Sequence, residues 1–186
     1  LRDQVSSASA TDREAALLTV ASTSERLAQE LASTETKALT DGYIDIAATH
    51  FRECAGEYPN RQPELIGFLI RNGQAEEAIT IFERLGGEDD EAVIARALFE
   101  LSSAHVPPPL VERLRVAVSN AVERHKRPIS LIDGQVRLLF TWERWDEVAE
   151  LYAEAIERDD QNYDAMNNWA ELQALRPRMG SIMRDG

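Results

Sequence analysis

The chain has 186 residues, of which 44% are hydrophobic and 28% charged, the composition of a folded domain or a short array of repeated units rather than of a disordered segment. Thirty-three acidic residues against 20 basic ones give a formal charge of −13. That balance argues against duplex nucleic acid and anionic membranes as partners, because affinity for both rests on Lys and Arg.

Lys37 and Lys126 are the only lysines. Arginine can hold carboxylates bidentately, but so uniform a bias reads more simply as codon usage. Cys54 is the only cysteine, so an intrachain disulfide is impossible and a reducing compartment such as the cytoplasm is compatible. No apolar run approaches the roughly 18 to 20 residues that cross a bilayer. The sequence begins LRDQ, without Met or a signal-peptide pattern, which reads as a piece of a longer protein or a processed product.

TDRE at 11–14 has capping-box spacing and predicts an N-terminal helix over 11–23. A helical pattern from 24 to 40 ends at a TDG break. The next segment, YIDIAATHFRECAGEYPN, carries Ile44, Ala47, Ala48, Phe51, Cys54 and Tyr58 on one stripe. After a pattern at 61–72 and an NG break, QAEEAITIFERLGG presents Ala75, Ala78, Ile79, Phe82 and Leu85, with Gly86-Gly87 as a helix end. A pattern at 91–104 meets VPPP at 106–109, whose prolines suit the start of a helix. LVERLRVAVSNAVERH then shows Leu110, Val111, Leu114, Val118, Ala121 and Val122. A pattern at 129–141 reaches TWER, a break without Gly or Pro that periodicity alone places. RWDEVAELYAEAIER carries Trp145, Val148, Ala149, Tyr152, Ala155 and Ile156 before the turn DDQN. The last helix, YDAMNNWAELQAL, carries Ala165, Met166, Trp169, Ala170 and Leu172 and is expected to stop at Pro177.

Aligning the four stripes on Phe51, Phe82, Val118 and Tyr152 gives separations of 31, 36 and 34 residues. The chain therefore reads as an internal repeat of helix pairs, at 24–60, 61–90, 91–127 and 128–162. A helix at 163–176 closes the array and 177–186 form a tail. No unit can bury its own stripe, so neighbours must stack into one core.

Paired helices at this period resemble the tetratricopeptide repeat. The residues that carry the likeness are FRECAGEYPN at 51–60, NGQAEEAITIFERL at 72–85, RWDEVAELYAEAIERDDQN at 144–162 and NYDAMNNWAELQAL at 162–175. The segment from 91 to 126 departs from the pattern, with a long 102–109 loop and Leu114 where a small residue is usual. The resemblance implies an all-α solenoid of about four antiparallel helix pairs with an extra helix at each end. It also implies that polar residues of the first helices contact a peptide on the concave face. Those residues are Arg71, Asp133, Arg137, Asn167, Asn168 and Glu171. With Asp164 and Glu171 beside Asn168, such a groove would prefer a basic or neutral segment.

Little points to chemistry. His50, His105 and His125 are far apart and form no metal spacing, and Cys54 lies on an apolar stripe. EDDE at 88–91 and ERDDQNYD at 157–164 lack the alternation and central Gly of a calcium loop and read as helix caps. Trp145 and Trp169 read as core, and Trp142 as a turn residue packed locally. No cofactor, metal or catalytic set is expected. The function read from the sequence is a non-catalytic protein-interaction scaffold. The alternatives are a regulatory or substrate-presenting appendage of an enzyme, and a homodimer formed through an end helix (11–22 or 162–175).

Overall fold

In the computed structural model, residues 10–32, 37–85, 90–103 and 105–182 are described, with side chains as far as 174. Among the described residues there are nine α-helices and no strand, so the chain is all-α. The helices are α1 (Ala10–Leu31), α2 (Lys37–Glu57), α3 (Gln62–Arg71), α4 (Ala75–Leu85) and α5 (Glu91–Ser102). They continue as α6 (Pro108–Arg124), α7 (Ile129–Thr141), α8 (Trp145–Arg158) and α9 (Tyr163–Ile182). A 3-10 turn, Pro59–Arg61, joins α2 to α3.

Local chemistry sets the boundaries. Pro63 in α3 and Pro108 in α6 occupy first-turn positions, where a missing N–H costs nothing. The Asp90 carboxylate accepts the Ala92 N–H at 3.0 Å and caps α5. The Asn162 side chain accepts the Ala165 N–H at 3.0 Å and caps α9. Both acidic clusters thus supply caps, although residues 88 and 89 of EDDE, like Gly86-Gly87 and LRDQ, lie outside the described residues.

Three helices end in the same closure. After α3, Gly73 has φ 76° and the Gln74 N–H donates to the Leu69 carbonyl at 2.8 Å. After α6, Lys126 has φ 61° and the Arg127 N–H donates to Val122 at 2.8 Å. After α7, Glu143 has φ 58° and the Arg144 N–H donates to Leu139 at 3.0 Å. Each is a left-handed C-cap that occupies otherwise orphaned carbonyls. TWER therefore breaks the helix without glycine because Glu143 adopts the conformation that Gly73 adopts.

The four registered residues all reach the core: Phe51 is 5% exposed, Phe82 0%, Val118 1% and Tyr152 5%. On α4 the predicted stripe of Ala75, Ala78, Ile79, Phe82 and Leu85 is the buried face. One hydrophobic cluster runs from Ala21 to Leu172, and the Phe51 and Phe68 rings stand 5.0 Å apart within it. Helices α3, α5 and α7 touch in succession, α4 touches α6, and α8 lies against α7 and α9.

Arginine–glutamate pairs tie several of the helices together. Arg52 of α2 holds Glu77 of α4 at 2.9 Å, and Arg113 of α6 holds Glu83 of α4 at 2.6 Å. Arg71 of α3 donates to both oxygens of Glu25 in α1, at 2.9 and 3.0 Å, and to Glu100 of α5 at 3.2 Å. Arg127 holds Glu154 of α8 at 2.5 Å. Much of the arginine usage is therefore structural, a role that the codon-usage reading does not foresee. Each exposed pair contributes about 0–1 kcal/mol, so the pairs set orientation more than stability.

Four expectations are corrected. The helices expected at 11–23 and 24–40 are not separate, because Ala10–Leu31 is one helix and TDG lies inside α2. A single interior Gly42 weakens a helix by about 1 kcal/mol but does not end it. Glu14, the expected closing residue of the capping box, accepts from Arg61 instead. Pro177 does not stop α9, which runs on to Ile182; the φ of proline is helical, and only one backbone hydrogen bond is lost. Trp169 is 37% exposed rather than core, because α9 packs through Ala165 and Leu172.

Candidate functional surface

Five of the six candidate binding residues fall on α7 and α9. Asp133 and Arg137 stand one turn apart on the exposed side of α7, whose opposite side buries Leu131, Ile132, Leu138 and Leu139. Asn167, Asn168 and Glu171 are exposed on α9. Asn168 and Glu171 of α9 and Asp133 and Arg137 of α7 all lie near the buried Tyr152 of α8, which packs against both helices. Asn168, Asp133, Arg137 and Glu171 are all close enough to act on the Tyr152 hydroxyl electrostatically.

The electrostatics follow from this placement. Burial raises the Tyr152 phenol above its ordinary range, Asp133 and Glu171 push it further, and Asn168 and Arg137 oppose. Burial also raises the Asp133 carboxyl, with Arg137 lowering it and Asp164 raising it. Among the described residues Arg137 has no salt-bridge partner within 4 Å, whereas Arg71, Arg96 and Arg113 are all paired. The surface therefore combines carboxylates, a guanidinium without a salt bridge among the described residues, and two amides that can both donate and accept.

Arg71 is not part of this group. It lies across α5, where Glu25 and Glu100 use its guanidinium, and Glu25 is the larger cause of its raised pKa. Those residues and Phe51 border a cleft of about 340 Å3 among α1, α3 and α5. A Cβ on Gly67 would stand 2.1 Å from Glu100 Oε2, a flexible side-chain end that can move aside.

The remaining candidates have structural surroundings. Cys54 is buried, which pushes its thiol up to about 11 and leaves it protonated at neutral pH. His125 closes α6 by donating its N–H to Ala121 at 3.2 Å, and His50 stands 3.5 Å from Glu53. Trp145 meets Phe140 edge to face at 4.9 Å, and Trp142 packs partly buried on the core. Among the described residues no three of His, Cys, Asp or Glu are grouped to hold a metal ion, and no helix is long and apolar enough to cross a membrane.

Sequence reasoning missed the role of Tyr152, which reads from its stripe as core alone. Its hydroxyl was the available signal, since a buried phenol needs a polar partner. Comparison of the chain with protein-family models, with curated proteins and with solved structures gives no match in any of the three.

Proposed function

We propose that the chain is a non-catalytic protein-interaction scaffold, a tetratricopeptide-like solenoid of antiparallel helix pairs. It takes a peptide or partner segment on the surface formed by α7 and α9. Arg13 near the start of α1 reaches Glu53 and Glu57 near the end of α2, as expected of antiparallel neighbours. The succession of α3, α5 and α7 is likewise what stacked first helices require.

The observation that carries the proposal is the gathering of Asp133, Arg137, Asn168 and Glu171 around Tyr152 from helices distant in sequence. With two acidic groups, two amides and one guanidinium, the surface favours a basic or neutral extended segment, held through its backbone by the amides. Binding of a basic segment should weaken with salt. The test exchanges Arg137, Asn167 and Asn168 for Ala and measures binding to captured partners, with helicity followed by circular dichroism. A fall of about tenfold or more with intact helicity supports the surface, and undiminished binding removes it.

Self-association is a second reading, favoured by Tyr163 at 70%, Met166 at 40% and Trp169 at 37% exposure along α9. A large exposed apolar patch marks an interaction site. Light scattering at two protein concentrations tests it, and a strict monomer at both rejects it.

A further inference from the structure

The long 102–109 loop that sets the third repeat apart borders a cleft of about 550 Å3 at one edge of the molecule. Its walls are Ser102, Ser103 and His105 at the end of α5, Val106, Pro108 and Val111 at the start of α6, and Thr141 and Trp142 at the end of α7. That volume lies in the range of ligand sites. Among the described residues no Asp, Glu, Lys or Arg lines it, so its preference must come from hydrogen-bond directions and dipoles.

The three hydroxyls all present one sign to the cleft, beside the N–H groups of the His105 ring and the Trp142 indole. The Ser102 and Ser103 hydroxyls donate to the Phe99 carbonyl at 2.8 and 3.0 Å, and Thr141 donates to Leu138 at 2.7 Å. With each proton used inside its own helix, the three oxygens offer only lone pairs to the cleft. Two helix C-termini, of α5 and α7, bring the negative ends of their dipoles to the same place.

The N-terminus of α6 would ordinarily counter this by offering N–H groups to an anion. Here it cannot. Pro107, Pro108 and Pro109 are its N-cap and first two positions and have no N–H, and the Leu110 N–H already donates to the Pro107 carbonyl at 2.8 Å. Residues 107–110 therefore give an anion no free N–H, whereas a cation finds acceptors and the indole of Trp142.

We infer that this cleft holds a cationic side chain of a partner peptide, and that the side chain is arginine. A compact ammonium is strongly hydrated, and the cleft has no carboxylate to replace that water. A guanidinium is weakly hydrated, stacks on aromatic rings and presents five N–H donors to oxygens such as those of Ser102, Ser103 and Thr141. The His105 ring nitrogen and the apolar side chains of Val106 and Val111 complete its surroundings. The inference goes beyond the α7–α9 surface and is read out on different residues, so either can fail alone.

The test titrates the isotope-labelled chain by NMR with the capped peptides acetyl-Gly-Arg-Gly-amide, its lysine counterpart and its citrulline counterpart, which has nearly the same shape without the charge. The expected result is that the arginine peptide shifts the Trp142 indole, Ser103 and Thr141 signals, with the citrulline peptide at least fivefold weaker and lysine also weaker. Trp142→Leu should weaken the arginine peptide about threefold or more. Ser103→Ala, at an exposed position, serves the same purpose if the first variant unfolds. Equal binding of citrulline or lysine would overturn the assignment. So would stronger binding of inorganic sulfate, or no shift at these residues at millimolar peptide.

Discussion

Glycine-to-alanine exchange should change sign from helix to helix, because Gly42, Gly56, Gly67 and Gly134 meet different surroundings. In an open helix position the exchange stabilises by about 0.5–1 kcal/mol, since alanine loses less backbone entropy. Gly42 and Gly56 of α2 are such positions, with nothing within 4 Å of an added Cβ. At Gly134 of α7 the new Cβ would stand 2.8 Å from Leu98 Cδ1 and 2.9 Å from Leu98 Cβ in α5. A Cδ1 can rotate away, but a Cβ is fixed to the backbone, so α5 and α7 must separate. Overpacking of this kind costs about 1–3 kcal/mol, and proximity to a backbone-fixed atom puts it in the upper part of that range. The helix gain offsets part of this, leaving Gly134→Ala destabilised by about 1–2 kcal/mol. For a chain of this length each kcal/mol moves Tm by about 2–4 °C. Gly67→Ala should be near neutral, because its Cβ meets the mobile ends of Glu100 and Arg71. It loses an exposed ion pair worth under about 1 kcal/mol and gains helix propensity. Urea and thermal unfolding of the four single variants read these values. A Gly134→Ala protein as stable as the parent would refute the close α5–α7 approach, and destabilised Gly42→Ala and Gly56→Ala proteins would refute the assignment of α2.

Phe82→Ala should destabilise by about 3–5 kcal/mol in urea melts, since the ring is fully buried and central to the core. Glu143→Gly should stabilise by about 1 kcal/mol, because φ 58° strains any residue with a Cβ, and Tm should rise accordingly. Arg113 holds the Glu83 carboxyl below its ordinary range. Its contribution is therefore present above the unfolded pKa and lost as pH falls through the lowered folded one. Glu83→Gln should flatten the stability–pH curve on the acid side, read by urea melts from pH 6 to 3.

Elements with strong periodicity and clear punctuation were legible in the sequence. On α4 every predicted stripe residue is buried, and the 31-, 36- and 34-residue spacings fall on four core residues. The N-terminal third was misread because Gly42 looks like a stop, although one glycine between long flanking helical patterns is only a weak point. The end of α9 was misread because an interior proline, though it costs about 3 kcal/mol, can be carried within a helix as well as end it. Of the candidate residues, Asp133, Arg137 and Asn168, which the resemblance named, are exposed on α7 and α9. Arg71 was named with them, yet its carboxylate partners, Glu25 and Glu100, lie 46 and 29 residues away and leave no local trace. The arginine–glutamate pairs escaped notice for the same reason, since pairing across helices has no sequence period.

The most direct measurement titrates the labelled chain with three pools of extended eight-residue peptides, basic, neutral and acidic, and follows the side-chain amides of Asn167 and Asn168 by NMR. The account predicts that the basic and neutral pools shift these amides and the Arg137 signals, and that the basic-pool effect fades with added salt. A shift caused by the acidic pool alone, or no shift from any pool, would contradict it.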